Sequence, residues 1–264
     1  MNTGAIVVGW PELFMATIFI LAAGTVSIAM SLGLLRSILI ATLRTYLQLI
    51  ALGIVLTWIF RAYSVWIVLG VFLFMMLMTA QISLKRVKHR PSNLYLNVFS
   101  AVFLTGIVVT FTVTSLIIQV EPWYEPRYVL PIGGMVLGNA MNGIALTLER
   151  LFDDLRKCSH EVNQALAFGG TPWEAALPNI RTALAAGLTP TINSMSAVGL
   201  VSIPGMMTGQ LLAGADPVQA AKYQIVVMLM VSAATALGAM ISVYLVYKRA
   251  FDTEWRFILM SESL

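Results

Sequence analysis

Charged residues are scarce in this sequence, and one long stretch has no acidic residue at all. Only 11% of the 264 residues are charged, whereas about a quarter is typical of a soluble domain. No aspartate or glutamate occurs between positions 13 and 120. With a hydrophobic fraction of 59% and a mean hydropathy of +0.86, this predicts an integral membrane protein. The net charge of +4 does not indicate nucleic-acid binding, because the basic residues cluster at span ends, where membrane topology places them.

Residues that several chemistries require are also missing. A single cysteine, Cys158, excludes an internal disulfide and a cysteine metal cluster. No acid falls inside a predicted span, which argues against a proton relay or an intramembrane aspartyl dyad. Ser194 and Ser196 have no histidine or lysine in their span to activate them, so a membrane serine hydrolase is not expected. The chain also has no Walker-type glycine–lysine loop, so ATP binding by that motif is not expected.

Apolar runs of about 20 residues predict seven membrane-spanning helices. The predicted spans are 13–35, 37–60, 64–84, 94–120, 129–148, 180–203 and 220–247. Residues 205–213 form a half-length apolar segment, which we expect to be re-entrant or interfacial. The first span lacks the basic n-region of a signal peptide and is too long for one, so we expect it to be retained. The expected fold is an all-α, polytopic domain in the cell (inner) membrane that covers residues 1–264.

The positions of lysine and arginine predict the orientation of these spans. Twelve fall at one side of the predicted helices: Arg36, Lys85, Arg86, Lys88, Arg90, Arg150, Arg156, Lys157, Arg181, Lys248, Arg249 and Arg256. Three fall at the other side: Arg61, Arg127 and Lys222. Because cytoplasmic loops carry the excess of positive charge, we expect the N-terminus outside and the C-terminus in the cytoplasm.

Residues 161–178, between the fifth and sixth predicted spans, are typical of a water-exposed helix pair. Helix-forming residues at 162–168 precede Gly169 and Gly170, which predict a helix end. Thr171 as N-cap, followed by Pro172 and Glu174, predicts a new helix with a capping box. Pro178 is expected to limit that helix to about two turns. Such a pair is suited to docking a soluble partner, although an ordinary amphipathic connector has the same pattern.

The second predicted span contains two polar residues, Arg44 and Gln48, four positions apart and so on one helix face. A charge at that depth normally faces a cavity or a partner group, which makes both residues candidates for a translocation path. The alternative is that the long side chain of Arg44 reaches the membrane interface.

Asn139 and Asn142 place carboxamides at membrane depth in the fifth predicted span. They are candidates for the translocation path, and hydrogen bonding between helices is the alternative. Gly134 and Gly138, in the same segment, have the spacing that permits close helix contact.

The sixth predicted span is interrupted by Pro190 and followed by Pro204, which free backbone carbonyls at membrane depth. These two prolines, with Asn193, Ser194 and Ser196, are candidates to line a polar path. Met195 adds a soft sulfur that suits a transient contact with a soft metal, although methionine is also common apolar filler. The residues do not define a set of metal ligands.

Gly-Gly-Thr-Pro-Trp at 169–173 resembles the cytoplasmic loop of ABC transporter permeases, whose two short helices dock on the ATP-binding subunit. The resemblance implies that residues about 149–179 form this coupling loop. The coupling residues it implies are Glu161, Asn163, Gly169, Gly170, Thr171, Pro172, Trp173 and Glu174. Aligned on Gly169, Asn163 occupies the position of the usual glutamate, and Glu161 lies two residues too early.

Longer motifs resemble the FetB family of ABC permeases. They are Pro-Ile-Gly-Gly-Met-Val-Leu-Gly-Asn-Ala-Met at 131–141, Gly-Leu-Val-Ser-Ile-Pro-Gly-Met-Met-Thr-Gly at 199–209, Ala-Gly-Ala-Asp-Pro-Val-Gln-Ala-Ala-Lys-Tyr-Gln-Ile at 213–225, and Arg44 with Gln48. The resemblance implies an iron-export permease that pairs with a separate ATP-binding subunit. ATP and magnesium would belong to that partner, and this chain would hold no cofactor.

The same resemblance implies a homodimer of permeases in the lipid bilayer with two copies of the ATPase. Plant relatives of the family are linked to aluminium tolerance and to nucleotide-sugar movement, so a non-metal substrate stays open. A secondary transporter is the alternative from another class, but it usually needs a membrane-embedded acid. In the permease, closure of the ATPases is expected to push residues 161–178 and to rotate the fifth and sixth spans, which switches access to the path.

Overall fold

The computed structural model describes residues 8–88, 93–252 and 257, and this part of the chain folds as α-helices without a β-sheet. The helices are α1 (Trp10–Ala16), α2 (Ile18–Ala29), α3 (Leu35–Ala62), α4 (Val65–Arg86), α5 (Tyr95–Phe111), α6 (Pro126–Lys157), α7 (Ser159–Ala167), α8 (Pro172–Ala197), α9 (Gly205–Leu212) and α10 (Pro217–Val246). A π-helical turn, Thr112–Ile117, extends α5, and a 3-10 turn, Tyr247–Ala250, extends α10. The all-α prediction is confirmed. Arg90 and Arg256, which entered the charge comparison, lie outside the described residues.

Six helical stretches of the described chain are long and apolar enough to cross a membrane. They are Trp10–Ala29, Leu35–Ala62, Val65–Arg86, Tyr95–Ile117, Pro126–Lys157 and Pro217–Ala250. Each coincides with one of the predicted spans. The remaining predicted span falls on α8, whose 26 residues reach about 39 Å at the helical rise. The protein is therefore a multi-pass membrane protein, in agreement with about seven spans, while its orientation stays a prediction.

Helix α6 is the centre of the bundle and packs against α4, α5, α8 and α10. Its buried face includes Leu137, Ile144 and Leu148, each almost fully enclosed. Glycines allow the closest approaches, because a Cβ at Gly133 would overlap the Phe72 ring and one at Gly143 would overlap Thr235. The predicted close contact at Gly138 is wrong, since no heavy atom lies within 4 Å of the Cβ it lacks.

The first three helices form a peripheral hairpin. The α1–α2 stretch packs along α3, where the Tyr46 hydroxyl donates a hydrogen bond to the Leu13 carbonyl at 2.8 Å. Helix α3 reaches the core near its end, at Ile59, which is buried. Most of the hairpin surface is exposed and apolar, as lipid-facing helices are.

Two predicted boundaries around the coupling segment are wrong. Helix α6 continues to Lys157, so the first residues of the predicted loop 149–179 are its last turns. Ion pairs between residues four apart support them, Arg150 with Asp154 at 2.8 Å and Lys157 with Asp153 at 2.6 Å. The segment that leaves helix α6 is therefore shorter than the sequence predicted.

The predicted stop at Pro178 is also wrong, because α8 runs from Pro172 to Ala197 with Pro178 and Pro190 inside it. A proline in a helix interior costs about 3 kcal/mol. Ala176 and Ile180, on either side of Pro178, are both buried in the same core, and this packing holds the helix together.

Helix α8 also ends before the predicted limit of residue 203. Gly199 adopts a left-handed conformation with φ of +80°, and its N–H donates to the Ser202 carbonyl at 3.0 Å. This tight turn directs the chain into α9, for which Pro204 is the N-cap residue. The apolar segment 205–213 is accordingly a short helix of its own.

Candidate functional site

A cavity of about 530 Å³, here called the central cavity, lies between α6, α8, α9 and α10. Its uncharged polar side chains are Asn139, Asn142, Thr191, Ser194, Ser202 and Gln224, and its methionines are Met135, Met206 and Met228. None of the described residues in its wall carries an ionisable group. In the described part of the chain, no group of three or more histidine, cysteine or acidic side chains is placed to hold a metal ion. The cavity therefore offers carboxamides, hydroxyls and thioethers to a passing solute.

Five of the sequence-predicted path residues lie together in this wall. Asn139 and Asn142 come from α6, Pro190 and Ser194 from α8, and Pro204 from the turn that precedes α9. Helix α8 ends at Ala197, and residues of the turn between α8 and α9, among them Ser202 and Pro204, line one side of the cavity. Their role in transport remains a prediction, but the structure brings these five side chains to one place.

Three other predicted residues of α8 do not reach the central cavity. Asn193 and Ser196 are exposed on another side of the helix, and Met195 is half-buried outside the wall. Helical spacing explains the difference, since Thr191, Ser194 and Val198 repeat at three and four residues and share one face.

Arg44 and Gln48 also lie away from the cavity. Both are exposed on α3, and α3 contributes no described residue to the cavity wall. The sequence identified polar residues at membrane depth, but it could not show what surrounds them, because that depends on how α3 packs. Their role in a translocation path stays a prediction.

The two asparagines already use part of their hydrogen-bonding capacity. The Asn139 amide nitrogen donates to the Met135 carbonyl at 2.8 Å. The Asn142 carboxamide oxygen accepts from the Arg86 guanidinium at 2.7 Å, which joins α4 to α6. Asn142 is therefore both part of the wall and an interhelical link, which the sequence had treated as alternatives.

Gln224 was missed as a candidate site residue, although it lies within the 213–225 motif. Its side chain comes from α10, is 5% exposed and lines the central cavity. Its carboxamide oxygen is buried and has no hydrogen-bond partner. A carboxamide at the point where the apolar part of α10 begins is a signal that could have identified it.

Two further cavities continue from the central one towards the loop before α6. The middle cavity, about 510 Å³, shares Met135, Met206 and Val227 with the central cavity. The loop cavity, about 600 Å³, shares Arg127 and Tyr223 with the middle one. The three cavities are thus neighbours in a row that runs towards one end of the bundle.

The loop cavity contains acidic side chains, and it shares the basic Arg127 with the middle cavity. Glu121, Glu125 and Arg127 line it together with Tyr63. A hydrogen bond to the Glu125 carboxylate, partial burial and the nearby negative charge raise the pKa of Tyr63 above its usual 10.0. The Tyr63 hydroxyl therefore stays protonated and holds Glu125 at the cavity wall.

At the opposite end of α6, α7 and α8 meet in a tight turn. Gly169 has φ of +88°, and the Gly170 N–H donates to the Ala165 carbonyl at 3.0 Å, which closes the end of α7. Glu161 and Asn163 are exposed on α7, as is the neighbouring Phe168 side chain, which is 85% exposed. This end of the molecule presents a surface that a partner can reach.

The predicted capping box at the start of α8 is confirmed. The Thr171 N–H donates to the Glu174 carboxylate at 2.8 Å, and the Glu174 N–H donates to the Thr171 hydroxyl at 3.3 Å. The bond that the Thr171 N–H donates to the Glu174 carboxylate, and after it the bond that the Thr171 hydroxyl donates to the same carboxylate, hold the pKa of Glu174 below its ordinary value of 4.5. The cap thus fixes the angle at which the chain enters α8.

Trp173 ties the start of α8 to the end of α10. Its ring meets Tyr247 edge-on with centroids 5.0 Å apart and approaches Tyr244 at 6.5 Å. Both α8 and α10 form walls of the central cavity. The start of α8 is therefore in direct contact with the end of a second helix that walls the cavity.

Replacing Thr171 with alanine is expected to loosen the first turn of α8 by about 1 kcal/mol, because the N-cap hydroxyl is lost. Hydrogen–deuterium exchange at residues 172–176 would measure the change. The control is Thr182→Ala, which removes a hydroxyl bonded to the Pro178 carbonyl inside the same helix. Equal exchange in the two variants would contradict a specific role for the cap.

The same cap is expected to depend on pH in one direction. Because folding lowers the pKa of Glu174, the cap contributes its stability above the ordinary value of 4.5 and loses it as the pH falls through the lower folded pKa. Exchange at residues 172–176 should therefore be constant around neutral pH, after correction for intrinsic rates, and rise in acid. In Glu174→Gln this acid-induced rise should be absent.

The chain matches the family described as "Uncharacterised protein family (UPF0014)" over residues 10–251, which include all ten helices of the described chain. The chain belongs to the UPF0014 family. It is 36% identical over 242 residues to Protein ALUMINUM SENSITIVE 3 of Arabidopsis thaliana, which covers 91% of this chain and 87% of the relative. The predicted family resemblance is confirmed by this match. No solved structure matches the chain.

Two bacterial relatives match this UPF0014 protein to a similar extent. The Probable iron export permease protein FetB of Escherichia coli (strain K12) is 33% identical over 247 residues, 94% of each chain. The UPF0014 membrane protein slr1647 of Synechocystis is 36% identical over 221 residues, 84% of this chain and 85% of the relative. The family match over residues 10–251 extends across both the central cavity and the α7–α8 turn.

Proposed function

We propose that this protein is the permease subunit of an ATP-driven transporter that exports iron or a related metal species. The observation that carries the proposal is the pairing of an accessible, capped α7–α8 turn with a polar cavity walled by the same helix, α8. The names of two relatives, one a probable iron export permease and one that refers to sensitivity to aluminium, support a metal cargo. The basic residues near this turn support a cytoplasmic location for it.

The partner in this proposal is a separate ATP-binding subunit that docks on the α7–α8 turn. On this chain, the surface that the subunit contacts consists of Glu161, Asn163, Phe168, Gly169, Gly170, Thr171, Pro172, Trp173 and Glu174. When the two ATPases close, the turn moves, α8 carries the movement to Pro190 and Ser194, and Trp173 passes it through Tyr247 to α10. The central cavity then opens to one side of the membrane or the other.

The neutral wall of the central cavity suits weak, passing contacts, because its described residues include neither the carboxylates of a tight iron site nor the basic side chains that a nucleotide sugar calls for. A nucleoside diphosphate sugar carries two negative charges, and binding it in a low-dielectric site calls for basic side chains. The described wall has no such side chain. A secondary transporter is disfavoured for a related reason, because the same wall also has no acid for coupling to an ion gradient.

The proposed assembly contains two permeases, and α3 is the candidate helix between them. Arg44 and Gln48 are exposed on it at membrane depth, where a polar group facing lipid is costly. A second copy of the chain placed against this face removes both from lipid.

Oxidative crosslinking in native membranes tests this arrangement on a Cys158→Ser background. We expect most of the Gln48→Cys protein to form a disulfide-linked dimer. Leu104→Cys, half exposed on α5, should remain monomeric. If Leu104→Cys crosslinks and Gln48→Cys does not, α3 is not the dimer helix.

Transport by the purified complex tests the function itself. The permease and its ATPase are reconstituted in proteoliposomes, and ATP-dependent movement of ferrous iron is compared with that of other metal ions and of UDP-glucose. We expect movement of ferrous iron only when ATP and the ATPase are present. Iron transport without any ATPase would contradict the proposal.

A further inference from the structure

We infer that Gln224 contacts the cargo in the central cavity through its carboxamide oxygen and selects a cation over an anion. The inference rests on the proposed function, because it names the residue that recognises the transported species. It concerns a position for which neither the motifs nor the coupling mechanism supplied a role.

The first step is the state of the Gln224 side chain. The side chain is 95% buried and lines the central cavity. Its carboxamide oxygen has no hydrogen-bond partner. A buried acceptor without a hydrogen bond is costly, and native proteins retain few of them. An unpaired acceptor in a cavity wall is the arrangement expected where a ligand completes the bond.

The second step compares Gln224 with the other two carboxamides of the cavity. Asn142 already accepts a hydrogen bond from Arg86 with its oxygen, and Asn139 is held by its own helix through the amide nitrogen. Gln224 is the carboxamide of the described wall whose oxygen is buried and unengaged. It is therefore a buried acceptor of this wall whose hydrogen bond a cargo can complete.

The third step is the sequence of groups along the row of cavities. Gln210, in the wall of the middle cavity, also has a buried carboxamide oxygen without a partner. The loop cavity that follows has the carboxylates of Glu121 and Glu125 against the single guanidinium of Arg127. Oxygen acceptors therefore continue along the row past Arg127, which also lines the middle cavity, and the loop cavity at the end is net negative, which attracts a cation and repels an anion.

The test measures the ATPase activity of the assembled complex in nanodiscs as ferrous iron is added without oxygen. The variant Gln224→Leu is expected to raise the iron concentration for half-maximal stimulation by about tenfold or more, equivalent to about 1.4 kcal/mol or more. Gln224→Glu keeps the oxygen acceptors and adds charge, so it should respond to iron at or below the wild-type concentration.

The matched control is Gln219→Leu, the same substitution on an exposed position of the same helix, which should behave as wild type. If Gln224→Leu does not assemble with the ATPase, Gln224→Met replaces it, because methionine keeps the chain length without a carboxamide. Stimulation by UDP-glucose is measured in parallel on every variant.

The outcomes separate the inference from the proposed function. If wild type responds to iron and neither Gln224→Leu nor Gln224→Met shifts the response, the inference is wrong and the proposed function stands. If UDP-glucose stimulates wild type and Gln224→Glu abolishes that response, the site selects an anion and the inference is overturned. If wild type neither binds an ATPase nor responds to any metal, both fail.

Discussion

Replacing Gly187 with alanine is expected to destabilise the protein by about 1–3 kcal/mol and to reduce transport strongly. A Cβ at this position of α8 would overlap the Thr147 hydroxyl oxygen and lie 2.9 Å from the Gly143 carbonyl oxygen of α6. Thr147 is fully buried and the other contact is backbone, so neither can move aside cheaply. The two helices must separate, and Gly143 and Gly187 both line the central cavity.

Thermal unfolding in detergent and iron transport in liposomes measure these two effects. The matched control is Gly138→Ala in α6, where no heavy atom lies within 4 Å of the added Cβ. Its stability should be unchanged or slightly raised, because alanine is the better helix former. If Gly187→Ala has the same unfolding temperature as wild type, the close packing of α6 on α8 is contradicted.

A double substitution makes the argument more specific. The Thr147 hydroxyl is buried without a hydrogen-bond partner, so Thr147→Ala alone should cost little. Combined with Gly187→Ala, it removes one of the two overlaps and should restore part of the lost stability. Strict additivity of the two changes would mean that Thr147 is not the obstacle.

Replacing Gly170 with tryptophan is expected to detach the ATP-binding subunit and to abolish ATP-driven transport. The added Cβ would lie 2.8 Å from the Ala165 carbonyl oxygen, which accepts the hydrogen bond that closes α7. The turn must therefore change shape at the centre of the proposed docking surface, and a large ring is added to it. Such a loss at the centre of an interface usually outweighs changes at its rim.

Co-purification of the ATPase with a tagged permease measures this effect, with the thermal stability of the permease alone as a check on folding. The control is Ala215→Trp, which places a tryptophan at an exposed position in the turn before α10. This turn is at the end of α10 away from Tyr247. We expect that variant to retain the ATPase. Retention by Gly170→Trp as well would place the docking surface elsewhere.

The features predicted correctly from sequence are those that depend on near neighbours. The capping box at Thr171 and Glu174 involves groups three residues apart, so the residue types alone specify it. The spans follow from the length of apolar runs and the requirement that the backbone be satisfied inside the membrane. These predictions need no knowledge of what a helix packs against.

The features that sequence did not predict depend on tertiary contacts. The continuation of α8 through Pro178 requires the core contacts of Ala176 and Ile180, which become visible only in the folded bundle. Asn193 and Ser194 are adjacent in sequence, but only Ser194 lies on the side of α8 that meets the cavity. Gln224 was missed because its significance comes from an unpaired oxygen and not from a motif.

The absence of ionisable groups from the described wall of the central cavity has a consequence for the energetics of the proposed export. A cation that crosses there keeps its own charge, because no side chain of that wall neutralises it. In a cell with an inside-negative membrane potential, outward movement then costs about 2.3 kcal/mol per elementary charge per 100 mV. Export should accordingly be electrogenic and should slow as the potential becomes more negative, in proportion to the charge of the ion that is carried.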